Sequence, residues 1–178
     1  EVFFRQCMGT SRFAYNWALE QWSTQYKAGG KPSEIALRRQ LNGVKHETFP
    51  WMLEVPKSVA QQAVKNLGAA FRNFFKKRGK YPRFKSRHRD SQSARMDNGP
   101  GTFDFNGKAV RLPKIGWVRT FEVLRWPDAK PLSATLRREG ERWFLSVVVQ
   151  LVEVSQSLRV ENQAAVGIAF GLSTAVTL

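Results

Sequence analysis

Apolar positions recur at helical spacing through the first part of the chain. In the consecutive stretches VFFRQCMG and TSRFAYNWALEQWSTQYKAGG, the residues Phe4, Met8, Ala14, Trp17, Ala18 and Trp22 fall on a helix-like repeat. Gly29 and Gly30 stop the second stretch. Ser33 can cap a short helix, SEIALRRQL, with Ile35 and Leu37 inside it. NGVKHETFPWMLEVP is rich in turn formers and reads as a connector. The clearest periodicity follows, in PKSVAQQAVKNLGAAFRNFFKKRGK. Pro56 suits a first turn, and Val59, Ala63, Leu67, Ala70, Phe71 and Phe74 form one apolar stripe. Lys57, Gln61 and Lys65 recur on a different face of the same helix. Residues 1–80 therefore predict a small helical bundle.

The pattern changes at residue 81. YPRFKSRHRDSQSARMDNGPG has little periodicity and many turn formers. TFDFNGKAVRLPKIGWVRTFEVL then alternates, with a hairpin signal at Asn106-Gly107. LSATLRREGERWFLSVVVQLVEV reads as two strands around Glu139-Gly140. The expectation over 81–158 is an antiparallel β-barrel of four or more strands, giving an α+β chain. SQSLRVENQA is linker-like, and a new unit over 164–178 opens with the apolar strand and glycine turn of VGIAFGLST.

Composition adds a partner class. The 178 residues include 13 Phe and 6 Trp, enough for a packed core rather than a disordered chain. Against 14 Asp+Glu stand 29 Lys+Arg, a net charge of +15 that attracts polyanions. No apolar run is long enough to span a bilayer, so an integral membrane protein is not expected. Cys7 is the only cysteine, which excludes an intrachain disulfide and a Cys-rich zinc site and fits a reducing cytoplasm. His46 and His88 lack partners at metal-ligand spacing, and no metal site is expected. The chain opens on Glu1 and ends inside an apolar run, as an internal portion of a longer protein would.

The positive charge is clustered. Arg72, Lys76, Lys77, Arg78, Lys80, Arg83, Lys85, Arg87, Arg89 and Arg95 are opposed in their own stretch only by Asp90, and Phe74, Phe75, Tyr81 and Phe84 are interleaved with them. Lys and Arg suit phosphate backbones, and aromatic planes can stack on bases. The alternatives are a solvated helix end with a basic loop, or a contact with an anionic membrane surface.

Read in order, SRFAYNWALEQW, EVPKSVAQQAVKNLGAAFRNFFKK, YPRFKSR, LPKIGWVR, ERWFLSVVVQ and VGIAFGLST resemble the TnpB family. These are the OrfB-type proteins of bacterial insertion sequences, compact RNA-guided DNA nucleases related to type V CRISPR effectors. The resemblance implies a helical recognition domain over 1–80, an oligonucleotide-binding-like wedge barrel over 81–158 and the start of a RuvC-like, ribonuclease-H-fold domain over 164–178. It implies a guide RNA and double-stranded target DNA as partners, with one protein per guide RNA, and a nucleoid-associated protein in the cytoplasm. It also implies that Lys57 and Gln61, after the Val55-Pro56 pair, face the target-adjacent DNA motif, with Ser93, Arg95 and Asn98 approaching the same duplex from the polar loop SQSARMDN. Lys65 joins the basic run from Arg72 to Arg89 as a backbone contact. Tyr15, Asn16 and Trp17 match the family's N-terminal motif, where Tyr15 and Trp17 read as packing residues. The solvent side of an amphipathic helix remains the alternative for the Lys57 row.

One position departs from the family. RuvC-like nucleases place a first metal-binding acid in a GIDxG strand, and here that stretch is Gly167-Ile168-Ala169-Phe170-Gly171. A methyl group cannot coordinate Mg²⁺, so no catalytic residue and no cofactor are assigned to this chain. Either the protein is a natural, nuclease-inactive relative that occupies DNA as a transcriptional repressor, or Asp was replaced by Ala in an active endonuclease. Ser173, where the family often has Lys, inclines the reading toward natural inactivity.

Overall fold

The computed structural model describes residues 1–90, 92–98, 103–126 and 128–151. The two N-terminal stretches join into a single 26-residue helix, α1 (Val2–Lys27). Gly9 does not break it, and a Cβ there would meet nothing within 4 Å. The helix buries Cys7, Met8, Ala14, Tyr15, Ala18 and Leu19. It ends where Gly29 takes φ +80°. The Gly29 N–H then donates to the Tyr26 carbonyl (3.0 Å) and the Gly30 N–H to the Gln25 carbonyl (2.9 Å), which satisfies the last turn.

Ser33 caps α2 (Glu34–Thr48), its hydroxyl accepting from the Ala36 N–H at 3.2 Å. The helix runs on through Asn42-Gly43, so part of the predicted connector is helical. Leu41 is buried on the helical core, and Lys45 donates to the Asn42 side chain at 3.1 Å. Packing at Leu41 prevails over the turn preference of Asn-Gly. Leu37 carries the apolar face with Leu41, while Ile35 is exposed.

A single 3-10 turn (Pro50–Glu54) leads into α3 (Lys57–Phe75), with Pro56 just outside the helix. Val59, Ala63, Val64, Leu67 and Phe71 are buried. α2 crosses α3 closely at Gly68, where a Cβ would lie 2.6 Å from Glu34 Oε2 and 2.8 Å from Glu34 Cβ. Leu19, Leu37, Leu41, Met52, Leu67 and Phe71 centre the all-helical core, and Trp22 stacks on Phe71 at 4.2 Å between centroids.

The strands are β1 (Gln92–Asp97), β2 (Asp104–Asn106), β3 (Ala109–Leu112), β4 (Gly116–Arg119), β5 (Lys130–Glu139) and β6 (Arg142–Gln150). Both predicted hairpins form, but each turn lies one residue later than the predicted dipeptide, at Gly107-Lys108 and Gly140-Glu141, with Gly107 and Gly140 at positive φ and Asn106 and Glu139 ending the strands. The predicted barrel does not form. The described residues make two open three-stranded antiparallel sheets, ordered β1-β5-β6 and β2-β3-β4. β1 pairs with β5 and passes over the three short strands between them, which hydrogen-bond among themselves. The two sheets meet through side chains: Val110 and Leu112 share a core with Ala94, Met96, Ala134, Leu136 and Phe103. Cys7, Met8, Val55 and Val59 tie that core to the helices. The predicted RuvC-like strand over 164–178, including Ala169, lies outside the described residues, as does the end of the 81–158 segment.

Candidate nucleic-acid interface

α3 positions the first set of candidate side chains. Lys57 is exposed in its first turn, and Gln61 and Lys65 follow one and two turns on, half-buried, away from the buried stripe. That first turn holds no acidic residue. A cation at the positive end of a helix dipole is unfavourable by itself and becomes favourable when an anion joins it.

Lys57 and Gln61 line a shallow cleft whose other wall is Arg38, Asn42 and Lys45 of α2. Burial holds the Lys45 ammonium below the usual lysine pKa, and the charges of Lys57 and Lys114 push it the same way. Lys114, from the turn between β3 and β4, donates to the Leu53 carbonyl. Three lysines from separate segments thus crowd one place, where a phosphate would relieve their repulsion. Lys45 and Lys114 escaped the sequence reading. Arg38, Asn42 and Lys45 do share helical spacing, but that signal depends on α2 continuing through Gly43.

From Gln92 to Asp97 the polar stretch is strand rather than loop. In β1, Ala94 and Met96 point into the core, and Ser93, Arg95 and Asp97 alternate with them. Asp97 accepts from the Gln62 amide and lies 3.9 Å from Lys65 and 3.6 Å from Arg95. The structure therefore brings Lys65 and Arg95 together on a carboxylate that the sequence reading did not single out. Asn98 is engaged internally. Its amide donates to the Pro131 carbonyl (2.7 Å), and its side-chain oxygen accepts from the Phe103 N–H (3.1 Å).

The basic run divides into two parts. At the end of α3, Arg72 lies 3.6 Å from Glu34, while Lys76, Lys77, Arg78 and Lys80 are exposed and form no ion pair among the described residues. The segment 81–90 is irregular but fastened to α1. Asn16 grips the Lys85 backbone from both sides, donating to its carbonyl at 2.9 Å and accepting from its N–H at 2.8 Å. The Lys85 ammonium rests 4.5 Å from the centre of the Tyr15 ring, and burial lowers its pKa. Arg12 donates to Gln92 at 2.8 Å, and Gln92 in turn donates to the Arg87 and Asp90 carbonyls. Asp90 accepts from the Ser86 N–H at 2.7 Å and pairs with Arg83 at 3.4 Å. Lys85 is thus turned inward, and Arg83, Arg87 and Arg89 remain exposed on a fastened loop. Asn16, read only as part of a motif, is what anchors them.

Among the described residues no three His, Cys, Asp or Glu side chains cluster as metal ligands would, and no helix is long and apolar enough to cross a membrane.

A helical bundle with a cationic cleft and a fastened basic loop has the chemistry to hold polyanions. Comparison with known proteins specifies the lineage. A family profile described as a helix-turn-helix domain of the OrfB/IS605 type matches residues 1–31, which cover α1 and the turn after it. Over 180 residues the chain is 29% identical to "Putative RNA-guided DNA endonuclease InsQ" of Escherichia coli (strain K12), covering all of this chain and 44% of that protein. A Streptomyces pristinaespiralis protein named "Putative RNA-guided DNA endonuclease" is 34% identical over 183 residues, covering 96% of this chain and 42% of the relative. A Mycobacterium tuberculosis (strain H37Rv) relative, Rv2885c, bears the same description and is 28% identical over 200 residues. The chain belongs to the TnpB/OrfB family. It spans less than half the length of these curated relatives.

Proposed function

We propose that this chain is the nucleic-acid-holding part of an RNA-guided DNA-binding protein, which binds a guide RNA and reads a short motif beside its double-stranded DNA target. The observation that carries the reading is the α3 face. Lys57 stands at the positive end of the helix without a nearby acid in its turn, beside Lys45 and Lys114, with the Gln61 amide one turn on. Crowded cations take a phosphate, and an amide beside them can pair with the edge of adenine. The names of the relatives, RNA-guided DNA endonucleases, support the choice of RNA and DNA as partners; in this reading one protein serves one guide RNA. In that arrangement the protein reads the adjacent motif and base pairing reads the sequence. In this reading the recognition role falls to residues 1–80 and the wedge role to residues 81–158.

With Ala169 in place of the first RuvC acid, the protein holds DNA without cutting it and represses transcription by occupancy. The competing reading, an active endonuclease altered at that one position, is favoured by the relatives being named endonucleases. Binding to a library of randomised flanking motifs tests the α3 assignment. Lys57→Ala and Gln61→Ala weaken motif-dependent binding, the latter by about 1–3 kcal/mol as for a lost bidentate base contact; an unchanged motif preference refutes it. Sequencing of co-purified RNA yields one abundant guide-like species, and a random profile refutes the guided function. Plasmid cleavage by Ala169→Asp in the full-length protein separates the two readings: activity supports the altered endonuclease, and its absence supports the repressor.

A further inference from the structure

We propose that the exposed aromatic cluster at the C-terminal end of α3 stacks unpaired nucleobases, making this end of the helix a site for a single-stranded segment. The inference rests on the chain binding nucleic acid and adds which form of it is held here.

Five rings meet at this place. Phe71 is only 2% exposed and anchors the group. Trp22 stacks on it, and Phe75 lies nearly parallel to it, 6.1 Å away and tilted by 22°. Tyr81 meets Phe71 and Phe74 edge-on at 5.5 and 5.3 Å, and Phe74 touches Phe75 at 5.4 Å. Yet Phe75 is 62% exposed and Tyr81 53% exposed. Rings braced against a buried core are already ordered, so a base that stacks on them costs little conformational entropy.

The surrounding charge selects the partner. Lys76, Lys77, Arg78 and Lys80 are exposed and lack ion pairs among the described residues. α3 ends in the same hydrogen-bonded turn as α1: the Lys77 N–H donates to the Phe74 carbonyl (2.9 Å) and the Arg78 N–H to the Asn73 carbonyl (2.8 Å). At the left-handed position of that turn, α1 has Gly29, but α3 has Lys77 with φ 57°. A side chain is accepted where glycine fits better, and it is a cation. The helix dipole favours cations there, but it gives no reason for two exposed rings among them.

Exposed rings need a partner with free π-faces. A duplex keeps its base faces inside the stack, whereas an unpaired strand offers both base faces and phosphates. An anionic bilayer fits less well. It takes an amphipathic helix by its apolar face, and the apolar face of α3 is spent inside the protein at Val59, Ala63, Val64, Leu67 and Phe71.

The test compares the full chain with Phe75→Leu, which removes an exposed ring and no charge, and with Tyr81→Leu as a second variant. An unchanged melting temperature shows that Phe75→Leu is folded. Binding is measured by fluorescence anisotropy to short single strands of RNA and of DNA, to the same strands with abasic sites, to a matched duplex and to vesicles containing anionic lipid. Phe75→Leu weakens binding of the intact single strand by roughly 5- to 100-fold. It leaves the duplex, the abasic strand and the slope of affinity against salt unchanged, since no phosphate contact is removed. The RNA and DNA arms identify which strand the site prefers. Equal loss on strand and duplex, or no loss on either, overturns the stacking site while leaving nucleic-acid binding intact. Loss confined to the vesicles overturns it in favour of a membrane contact. Failure of the folded parent chain to bind any of the nucleic acids overturns the underlying functional reading instead.

Discussion

Replacing Asn16 with alanine removes both hydrogen bonds that hold Lys85 to α1, at 2.9 and 2.8 Å. A hydrogen bond contributes a net ~0.5–1.5 kcal/mol, so the pair is worth roughly 2 kcal/mol if water replaces neither partner fully. Both bonds are part-buried, which keeps the loss near that middle value rather than at the full cost of two orphaned groups. For a domain of this size 1 kcal/mol corresponds to about 2–4 °C, so Asn16→Ala lowers the melting temperature by roughly 4–8 °C. The loop also opens locally, and amide exchange at Lys85 accelerates beyond what the global loss explains. Asn16→Asp is the informative control. It still accepts from the Lys85 N–H but can no longer donate to the Lys85 carbonyl, and it falls between the parent and Asn16→Ala. Thermal melts and residue-resolved hydrogen exchange read the two effects separately. A melting temperature within about 1 °C of the parent, with Lys85 exchange unchanged, refutes the clasp.

Three further outcomes follow from the geometry. Gly68→Ala places a Cβ against Glu34 Cβ at 2.8 Å; it destabilises by ~1–3 kcal/mol despite its better helix propensity, whereas Gly43→Ala, with open space around it, stabilises by about 0.5–1 kcal/mol in the same urea titration. The Ser86 N–H, then the charges of Arg83, Arg89 and Lys85, hold the Asp90 carboxyl below the ordinary aspartate range, against the opposing effect of burial. The stability this contributes is complete above the unfolded aspartate pKa and is lost as pH falls through the lower folded value, so the protection of the Ser86 amide relative to its intrinsic exchange rate falls at acid pH in the parent but not in Asp90→Asn. Burial pushes the Cys7 thiol up to about 12, so iodoacetamide labels it only as the protein unfolds; rapid labelling in native buffer refutes that environment.

Legibility in the sequence followed the range of the interaction. Ser33, the α3 stripe and the glycine hairpins at Gly107 and Gly140 are local signals, and each acts where it was read or one residue later. The extension of α2 through Asn42-Gly43 was not legible, because Leu41 meets its partners in α1 and α3, far along the chain. The candidate site divides in the same way. Lys57 and Gln61 stand out by helical spacing, but the crowding of Lys45 and Lys114 around them comes from separate segments. The inward turn of Lys85 is another such case. A run of cations gives no sign of which member Tyr15 and Asn16 will capture.

By itself the sequence determined the helical first half, the alternating strands after it, the strongly basic surface and the family. These depend on periodicity, composition and ordered segments, all of which a single chain displays without folding. Tertiary structure alone decided that the strands form two open sheets, that Asp97 gathers Lys65 and Arg95, and that Asn16 fastens the basic loop. Strand closure and charge pairing depend on which distant residues share a few ångströms, and backbone hydrogen bonds and carboxylates choose their partners only in the folded chain.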